Sequence, residues 1–303
     1  MSYIKIDFMK IIREVYGWYK NVDAWIWPTV LFLGTIISGY SIELILRHFI
    51  YRGVGVFGSI LGFFGILAGL LFQLLLLSFA LAKITESALA KRNFESKKVG
   101  RQSVFEYTLL ILLVALIQVA ALAGGMIILS LFSYAGKMVF SFLFYLDNGG
   151  MGSFSEKNVI PVLLWLVVQL LIFIVVVLLE FYIVCRLAFA SIIFWVEKGC
   201  GVIDAVKLSI KRTEKNTIQI ALGIVTISGS TILGALILIG LGIVAAFFVP
   251  YIGAILTNIL LLLGVILAQS GSIFGSVELY DQTVGIKHVE TSYREKQKKR
   301  KHQ

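Results

Sequence analysis

Six runs of apolar residues dominate the sequence and restrict what it can fold into. A helix needs about 20 residues to cross roughly 30 Å of hydrocarbon, and each run reaches that length. In lipid every backbone amide must be paired within its own segment, so these runs are expected to be helices. The sequence therefore predicts an all-α, polytopic membrane bundle with six transmembrane helices, at residues 26–46, 56–82, 106–133, 161–184, 217–248 and 251–276.

The composition agrees with this interpretation. The chain is 59% hydrophobic and 15% charged, whereas a soluble domain carries about 25% charged residues. The net charge of +10 comes from basic residues beside the apolar runs, so no nucleic-acid partner is expected. Cys185 lies in a predicted span and Cys200 near a span boundary, and two such cysteines imply no disulfide framework, metal site or other cofactor.

The basic residues also predict the orientation of the chain. The N-terminal segment, the 83–104 and 185–216 segments and the C-terminal tail hold 23 of the 27 lysines and arginines. The connections on the opposite side hold the other four. Because short basic segments stay in the cytoplasm, both termini are predicted to be cytoplasmic, in a plasma membrane of the prokaryotic inner-membrane type.

Three regions follow from this pattern: an amphipathic segment (residues 1–25), a six-span membrane domain (26–276) and a basic cytoplasmic tail (277–303) that is predicted to be disordered. Within the first, residues 2–22 place apolar side chains at helical spacing. This helix could lie on the membrane, or it could pack on cytoplasmic loops. The apolar run 138–146 is too short to cross the bilayer and is either interfacial or a continuation of span three.

A second amphipathic helix is predicted within the 198–216 segment, where it follows the helix-breaking Gly199 and Gly201. Its apolar face is expected to contain Val202, Ile203, Val206 and Ile210. Its basic stripe consists of Lys207, Lys211 and Lys215, spaced four residues apart. Such a stripe can bind anionic lipid headgroups on the cytoplasmic side, at about 1 kcal/mol per basic residue. It could equally dock a protein partner, or be only a basic loop that sets topology.

The same segment carries a resemblance to a known group. The matching residues are Arg186, Phe189-Ala190, Val196-Glu197-Lys198, Gly201–Ala205 and Ser209, together with Leu279-Tyr280-Asp281 after the last span. They resemble the prokaryotic six-span proteins of the "glycerophosphoryl diester phosphodiesterase membrane domain" type and related uncharacterised families. The motifs cover about 30 residues plus that tripeptide, while the topology extends over most of the chain.

The resemblance implies a membrane scaffold and no enzyme. In that group the named activity belongs to a separate catalytic domain, a TIM barrel with a His-Arg-Gly-type motif. The three histidines of this sequence, His48, His288 and His302, are not in such a setting, so the catalytic domain is not expected here.

Polar and ionisable residues inside the spans are the remaining candidates for function, since they are costly in lipid. They are Glu180, Arg186, Gln118 and Gln169. Glu180 and Arg186 are expected to find partners on other helices or to reach the interface, with a coupling or substrate role for Glu180 as the alternative. Gln118 and Gln169 are predicted near the midplane, where they either bond between helices or line a polar path.

Glycines form two regular stripes. They are Gly58, Gly62, Gly65 and Gly69 on span two and Gly271 and Gly275 on span six. Small residues at this spacing let helices approach closely, within one bundle or between copies.

Three functional hypotheses remain. The first is a non-catalytic envelope scaffold or accessory protein associated with lipid. The second is a transporter or permease subunit, which predicts a polar cavity containing Gln169 or Glu180. The third is an intramembrane lipid-modifying enzyme, although the sequence contains none of the common nucleotide, zinc-hydrolase or serine-hydrolase motifs.

Overall fold

The computed structural model describes residues 6–50, 55–92, 94, 96–148, 159–197 and 199–285. All regular structure in these ranges is helical. The helices are α1 (Phe8–Trp18), α2 (Asp23–Ile45, continued by a π-helical turn at Leu46–Ile50), α3 (Gly55–Ala90), α4 (Arg101–Asn148), α5 (Val159–Leu187), α6 (Ala190–Val196), α7 (Val202–Thr213), α8 (Thr217–Phe248) and α9 (Pro250–Val284).

Six of these helices, α2, α3, α4, α5, α8 and α9, are long and apolar enough to cross a membrane. Their most apolar stretches are hardly buried inside the protein, from 0% of residues in α5 to 33% in α9. Large side chains such as Leu164 of α5 are instead more than half exposed, which suits contact with lipid tails. The predicted all-α polytopic fold is confirmed, and the chain is an integral membrane protein with several membrane-spanning helices.

Three of the helices extend at least eight residues beyond their predicted spans: α3, which continues to Ala90, α4 and α9. The 138–146 run continues α4, which is the second of its two predicted alternatives. The boundary placed at residue 277 falls inside α9, which continues to Val284. Residues 277–280 are fully buried, so their packing prolongs the helix, and Gly285 ends it with a φ of 77°. The rest of the predicted disordered tail, 286–303, lies outside the described residues.

The helices divide into two compact units. The larger unit holds the described residues up to Leu112 and from Leu187 onward. The smaller unit is Leu113–Arg186, which contains α4 from Leu113 to its end and α5 up to Arg186. In the larger unit α8 and α9 form an antiparallel hairpin, α2 packs on α3, and α1 packs on α8 and α9.

The interpretation of the N-terminal helix as lying on the membrane is wrong for α1. Its apolar residues Ile11, Val15 and Trp18 are at most 1% exposed, because they are covered by protein rather than by lipid. The Trp18 ring stacks on Phe274 of α9 at 4.8 Å between centroids. The predicted alternative was packing on cytoplasmic loops, and α1 instead packs on the long helices α8 and α9.

Candidate functional site

The last turns of α9 bring together charged side chains from three other helical segments of the larger unit. Glu278 and Tyr280 are both fully buried, and Asp281 is partly exposed. They sit on a stretch of α9 that continues the apolar span without a break. Since a buried charge is costly unless it is paired, the contacts of these residues show how this end of the unit is assembled.

A first ionic junction forms around Glu278. Arg92, which follows the end of α3, pairs directly with the Glu278 carboxylate. The Lys10 ammonium of α1 lies 3.4 Å from Glu278 Oε1, and the amide of Gln282 donates to the same oxygen at 2.9 Å. The Arg92 guanidinium also lies 3.4 Å from Asp281 and 3.7 Å from Glu14 of α1. One arginine therefore ties α1, α3 and α9 together.

Hydrogen bonds along α1 complete its attachment to α9. The Trp18 indole N–H donates to Ser270 Oγ at 2.7 Å in a buried contact. The Tyr19 hydroxyl donates to the Leu267 carbonyl at 3.0 Å. At the other end of α1, the Asp7 backbone N–H donates to Gln282 at 2.9 Å. The helix is thus anchored over its whole length.

Burial changes the titration of two groups beside this junction. It is the main cause of a raised pKa for the Tyr19 hydroxyl, with a smaller contribution from the nearby Tyr16. It also lowers the pKa of Lys91, against the opposing effect of the Glu14 carboxylate. The Lys91 ammonium lies over the Phe274 ring at 4.9 Å and over Trp18 at 5.7 Å, so it caps the aromatic stack of α1 and α9.

A second ionic junction fixes α7. Arg212 pairs with the Glu197 carboxylate, directly after α6, and also donates to the Tyr280 hydroxyl of α9. The Tyr280 ring packs edge-on against Phe189 at 5.2 Å. Residues from the two separate motifs, Phe189 and Glu197 in one and Tyr280 in the other, therefore meet in space around Arg212.

The faces of α7 differ from the predicted ones. Its buried side chains are Ala205, Val206, Ser209 and Thr213. Ile203 and Ile210, predicted on the apolar face with Val202 and Val206, are 61% and 38% exposed and lie on the side of the lysines. The physical reason is that α7 packs closely on α6, which the small residues allow and the isoleucines would prevent.

Lys207, Lys211 and Lys215 are all exposed, as a surface stripe requires. None of the three forms an ion pair with a described residue. Ile203, Ile210, Lys207 and Lys211 lie on the outward side of α7, and Lys215 follows two residues after its end. We call these five residues the α7 outer face. It combines apolar side chains with cationic ones on an element that the Arg212 junction holds in position.

The four intramembrane candidates all belong to the smaller unit, where the structure does not gather them into one site. Glu180 Oε2 has almost no solvent contact and no hydrogen-bond partner among the described residues. The Arg186 guanidinium lies over the ring of Tyr182, one turn earlier on the same helix, at 5.5 Å.

Gln118 and Gln169 lie at different levels along the α4–α5 pair. Gly125 of α4 lies against Val176 of α5, and Gly136 lies against Trp165. This antiparallel register places Gln169 level with about residue 132 of α4, roughly 20 Å along the helix from Gln118. This offset between the two glutamines arises because α4 extends well past the predicted end of span three. Gln169 instead lines a groove of about 640 Å³ that also contains Lys137.

The glycine stripes lie against other helices of the same chain. A Cβ on Gly65 or Gly69 would come within 3.1 or 2.9 Å of an isoleucine side chain near the end of α2. A Cβ on Gly275 would come within 2.8 Å of Ile227 of α8, and one on Gly271 would overlap the Tyr19 hydroxyl. Gly58 and Gly62 are buried on α3.

The residues that organise this site, Arg92, Glu278 and Arg212, were not singled out from the sequence. Arg92 and Arg212 were counted only as basic residues near spans. Glu278 could have been found as an acidic residue within one turn of the conspicuous Leu279-Tyr280-Asp281 tripeptide. Within the part of the chain that the structure describes, no cluster of histidine, cysteine and acidic residues could hold a metal ion.

Comparison with known proteins identified no relative of this chain. No protein-family model matches the chain, and neither do any curated protein or solved structure. The resemblance to six-span membrane domains therefore stays a prediction, and the case for a function rests on the side chains themselves.

Proposed function

We propose that this protein is a non-catalytic scaffold of the cell membrane that binds anionic lipid headgroups on the cytoplasmic side through the α7 outer face. The observation that carries the proposal is the exposure of Lys207, Lys211 and Lys215 beside Ile203 and Ile210. Isoleucines can enter the headgroup boundary while lysines meet phosphates, which is the usual chemistry of an interfacial helix.

The two ionic junctions support a scaffold because they make α7 and α1 fixed parts of the larger unit. Arg212 links α7 to α6 and α9, and Arg92 links α1 to α3 and α9. A basic helix held in this way binds without first having to be ordered, so less of the binding free energy is lost.

The distribution of basic residues supports the cytoplasmic placement of this site. The segments predicted to be inside hold 23 of the 27 lysines and arginines, and this bias is the main determinant of topology. Anionic lipids also give the cytoplasmic leaflet its negative surface potential.

Native mass spectrometry of the full-length protein tests the proposal. The protein would be released from nanodiscs that contain phosphatidylglycerol and phosphatidylcholine, and the bound lipids would be counted. We expect the K207Q/K211Q/K215Q variant to retain phosphatidylglycerol at least tenfold more weakly, because each lysine contributes about 1 kcal/mol. Asp204 in α7 and Glu214 directly after it remain and reduce the full effect.

A matched control variant removes three positive charges from other segments of the larger unit. Arg13, Lys20 and Lys98 are exposed basic residues on other segments of the larger unit. The R13Q/K20Q/K98Q variant should retain phosphatidylglycerol like the unchanged protein. Equal losses in both variants would mean that only net charge matters, and the proposal would then be wrong.

A second candidate function, a transporter or permease subunit, is favoured by the groove that contains Gln169 and Lys137. A polar path predicts that water reaches Gln169. A Q169C substitution in a protein without Cys185 and Cys200 should then react with a membrane-impermeant thiosulfonate reagent. Protection of that cysteine in the reconstituted protein would argue against a water-filled path.

A further inference from the structure

The groove of the smaller unit has a distinctly polar part. It lies between α4 and α5 and has a volume of about 640 Å³. Its polar lining consists of Ser130, Ser133, Tyr134, Lys137 and Gln169. All five side chains can donate hydrogen bonds, and none of the nine lining residues is acidic.

The rest of the groove is apolar. It is lined by Leu129, Leu166, Leu170 and Phe173. Leu166, Leu170 and Phe173 are about half exposed, so the groove opens onto the apolar surface of the hairpin. From residue 129 to residue 137 it follows α4 for about 12 Å, less than half the thickness of the hydrocarbon core.

We infer that this groove binds one anionic phospholipid, with its phosphate at Lys137, its headgroup and glycerol-ester oxygens along the serine, tyrosine and glutamine donors, and an acyl chain along Leu166, Leu170 and Phe173. Lys137 lies at the end of Arg101–Met138, the part of α4 that is apolar enough to cross a membrane. A lysine in that position extends toward the headgroup level, where a phosphate is available. The apolar residues continue inward from that level, as an acyl chain does.

Charge complementarity decides the class of ligand. The lining supplies one cation and several neutral donors, which match the oxygens of a phosphate, and it contains no carboxylate to balance a choline. The open apolar side favours a lipid over a water-soluble anion. The site is separate from the α7 outer face, since α7 belongs to the larger unit.

Photolabelling in proteoliposomes tests this site with the full-length protein. Phosphatidylglycerol and phosphatidylcholine would carry the same diazirine acyl chain, and adducts would be mapped by peptide mass spectrometry. We expect phosphatidylglycerol to label residues 129–137 and 166–173 more strongly than phosphatidylcholine does. K137Q should reduce this labelling about fivefold, while K137R should retain most of it.

Two controls keep the result specific. The K207Q/K211Q/K215Q variant should leave groove labelling unchanged, which separates this site from the proposed function of α7. The thermal midpoint of K137Q should equal that of the unchanged protein, because Lys137 is exposed. If K137Q does not fold, K137R and Q169L replace it, and Q169L should weaken phosphatidylglycerol labelling at unchanged charge.

Three outcomes would overturn the inference: equal labelling by the two lipids, labelling that K137Q leaves unchanged, or labelling spread evenly around the hairpin. Rapid reaction of Q169C with the impermeant reagent, in the absence of lipid adducts, would also overturn it and would point to a path for solutes instead.

Discussion

A carboxylate that is removed completely from water needs partners to replace its hydration, and Glu278 has three of them. Arg92 and Lys10 supply charge, and Gln282 supplies a hydrogen bond. Arg92 is only 18% exposed at its side chain, whereas Lys10 is 48% exposed. At the scale of single residues, the Arg92–Glu278 pair should therefore matter far more than the Lys10–Glu278 pair.

Replacing Glu278 by alanine tests this difference. The change leaves the Arg92 guanidinium largely buried without its main partner, which costs about 3–5 kcal/mol when a buried pair is broken. Lys10→Met removes a half-exposed partner and should cost about 1 kcal/mol or less. Thermal unfolding in detergent should show a large decrease in midpoint for the first variant and a small one for the second. Equal midpoints would contradict the assignment of Glu278 as the centre of the junction.

Cys200 provides a prediction of pH dependence. Burial, aided by the carboxylates of Glu197 and Asp204, raises the pKa of its thiol to about 11. Because the thiolate is the reactive form, alkylation should stay slow at pH 8 and increase up to about pH 11. About 0.1% of the thiol is ionised at pH 8, against roughly a quarter for an ordinary cysteine of pKa 8.5.

Alkylation of Cys200 by iodoacetamide can be followed by mass spectrometry of its peptide. The native rate at pH 8 should be at least about 100-fold below that of the denatured protein, which serves as the control. A native rate that is already half-maximal near pH 8.5 would show that the thiol is neither buried nor surrounded by those carboxylates.

At the scale of elements, α7 shows where sequence reasoning succeeds and where it stops. The helix, its basic stripe and the glycines before it could be predicted from spacing. The side of α7 that faces the protein could not be predicted. Ala205, Ser209 and Thr213 are buried because they are small enough for close packing, which hydropathy does not indicate. The roles of Arg92 and Arg212 could not be predicted either, because they depend on partners about 70 to about 190 residues away in the sequence.

The hairpin of α8 and α9 also depends on close approach. A Cβ on Gly242 would lie 2.7 Å from the backbone Cα of Thr257, which cannot move aside easily. Two residues earlier, a Cβ on Gly240 would meet nothing within 4 Å. The two glycines therefore form a matched pair on one helix.

Alanine at these positions should act in opposite directions. Gly242→Ala should lower the thermal midpoint, because the hairpin must separate locally, at a cost of about 1–3 kcal/mol. Gly240→Ala should leave the midpoint unchanged or raise it slightly, since alanine is the better helix former. Equal effects of the two substitutions would mean that α8 and α9 do not approach closely at Gly242.

At the scale of the whole molecule, the apolar runs determine most of the fold. The six spanning helices and the continuation of α4 were among the expectations from the sequence. The extension of α9 to Val284 was not expected, because residues 277–284 contain polar and charged side chains. Their place in the helix is explained only by their buried partners.

The topology of the chain in the membrane is a property of the whole molecule. We expect both termini on the cytoplasmic side, because the basic residues are so unequally distributed. Reporter fusions at each end, fluorescent only in the cytoplasm or active only outside it, would measure this. Two cytoplasmic signals agree with six spans, whereas termini on opposite sides would require an odd number of spans.

The most direct measurement of the central claim is the depth of the α7 outer face in a bilayer. A bimane label at I210C, in a protein without Cys185 and Cys200, would be reconstituted with lipids that carry a nitroxide on the headgroup. The account predicts strong quenching in phosphatidylglycerol bilayers and weaker quenching after K207Q/K211Q/K215Q. A label that remains unquenched in anionic bilayers, with or without the three lysines, would show that α7 does not contact lipid and would contradict the account.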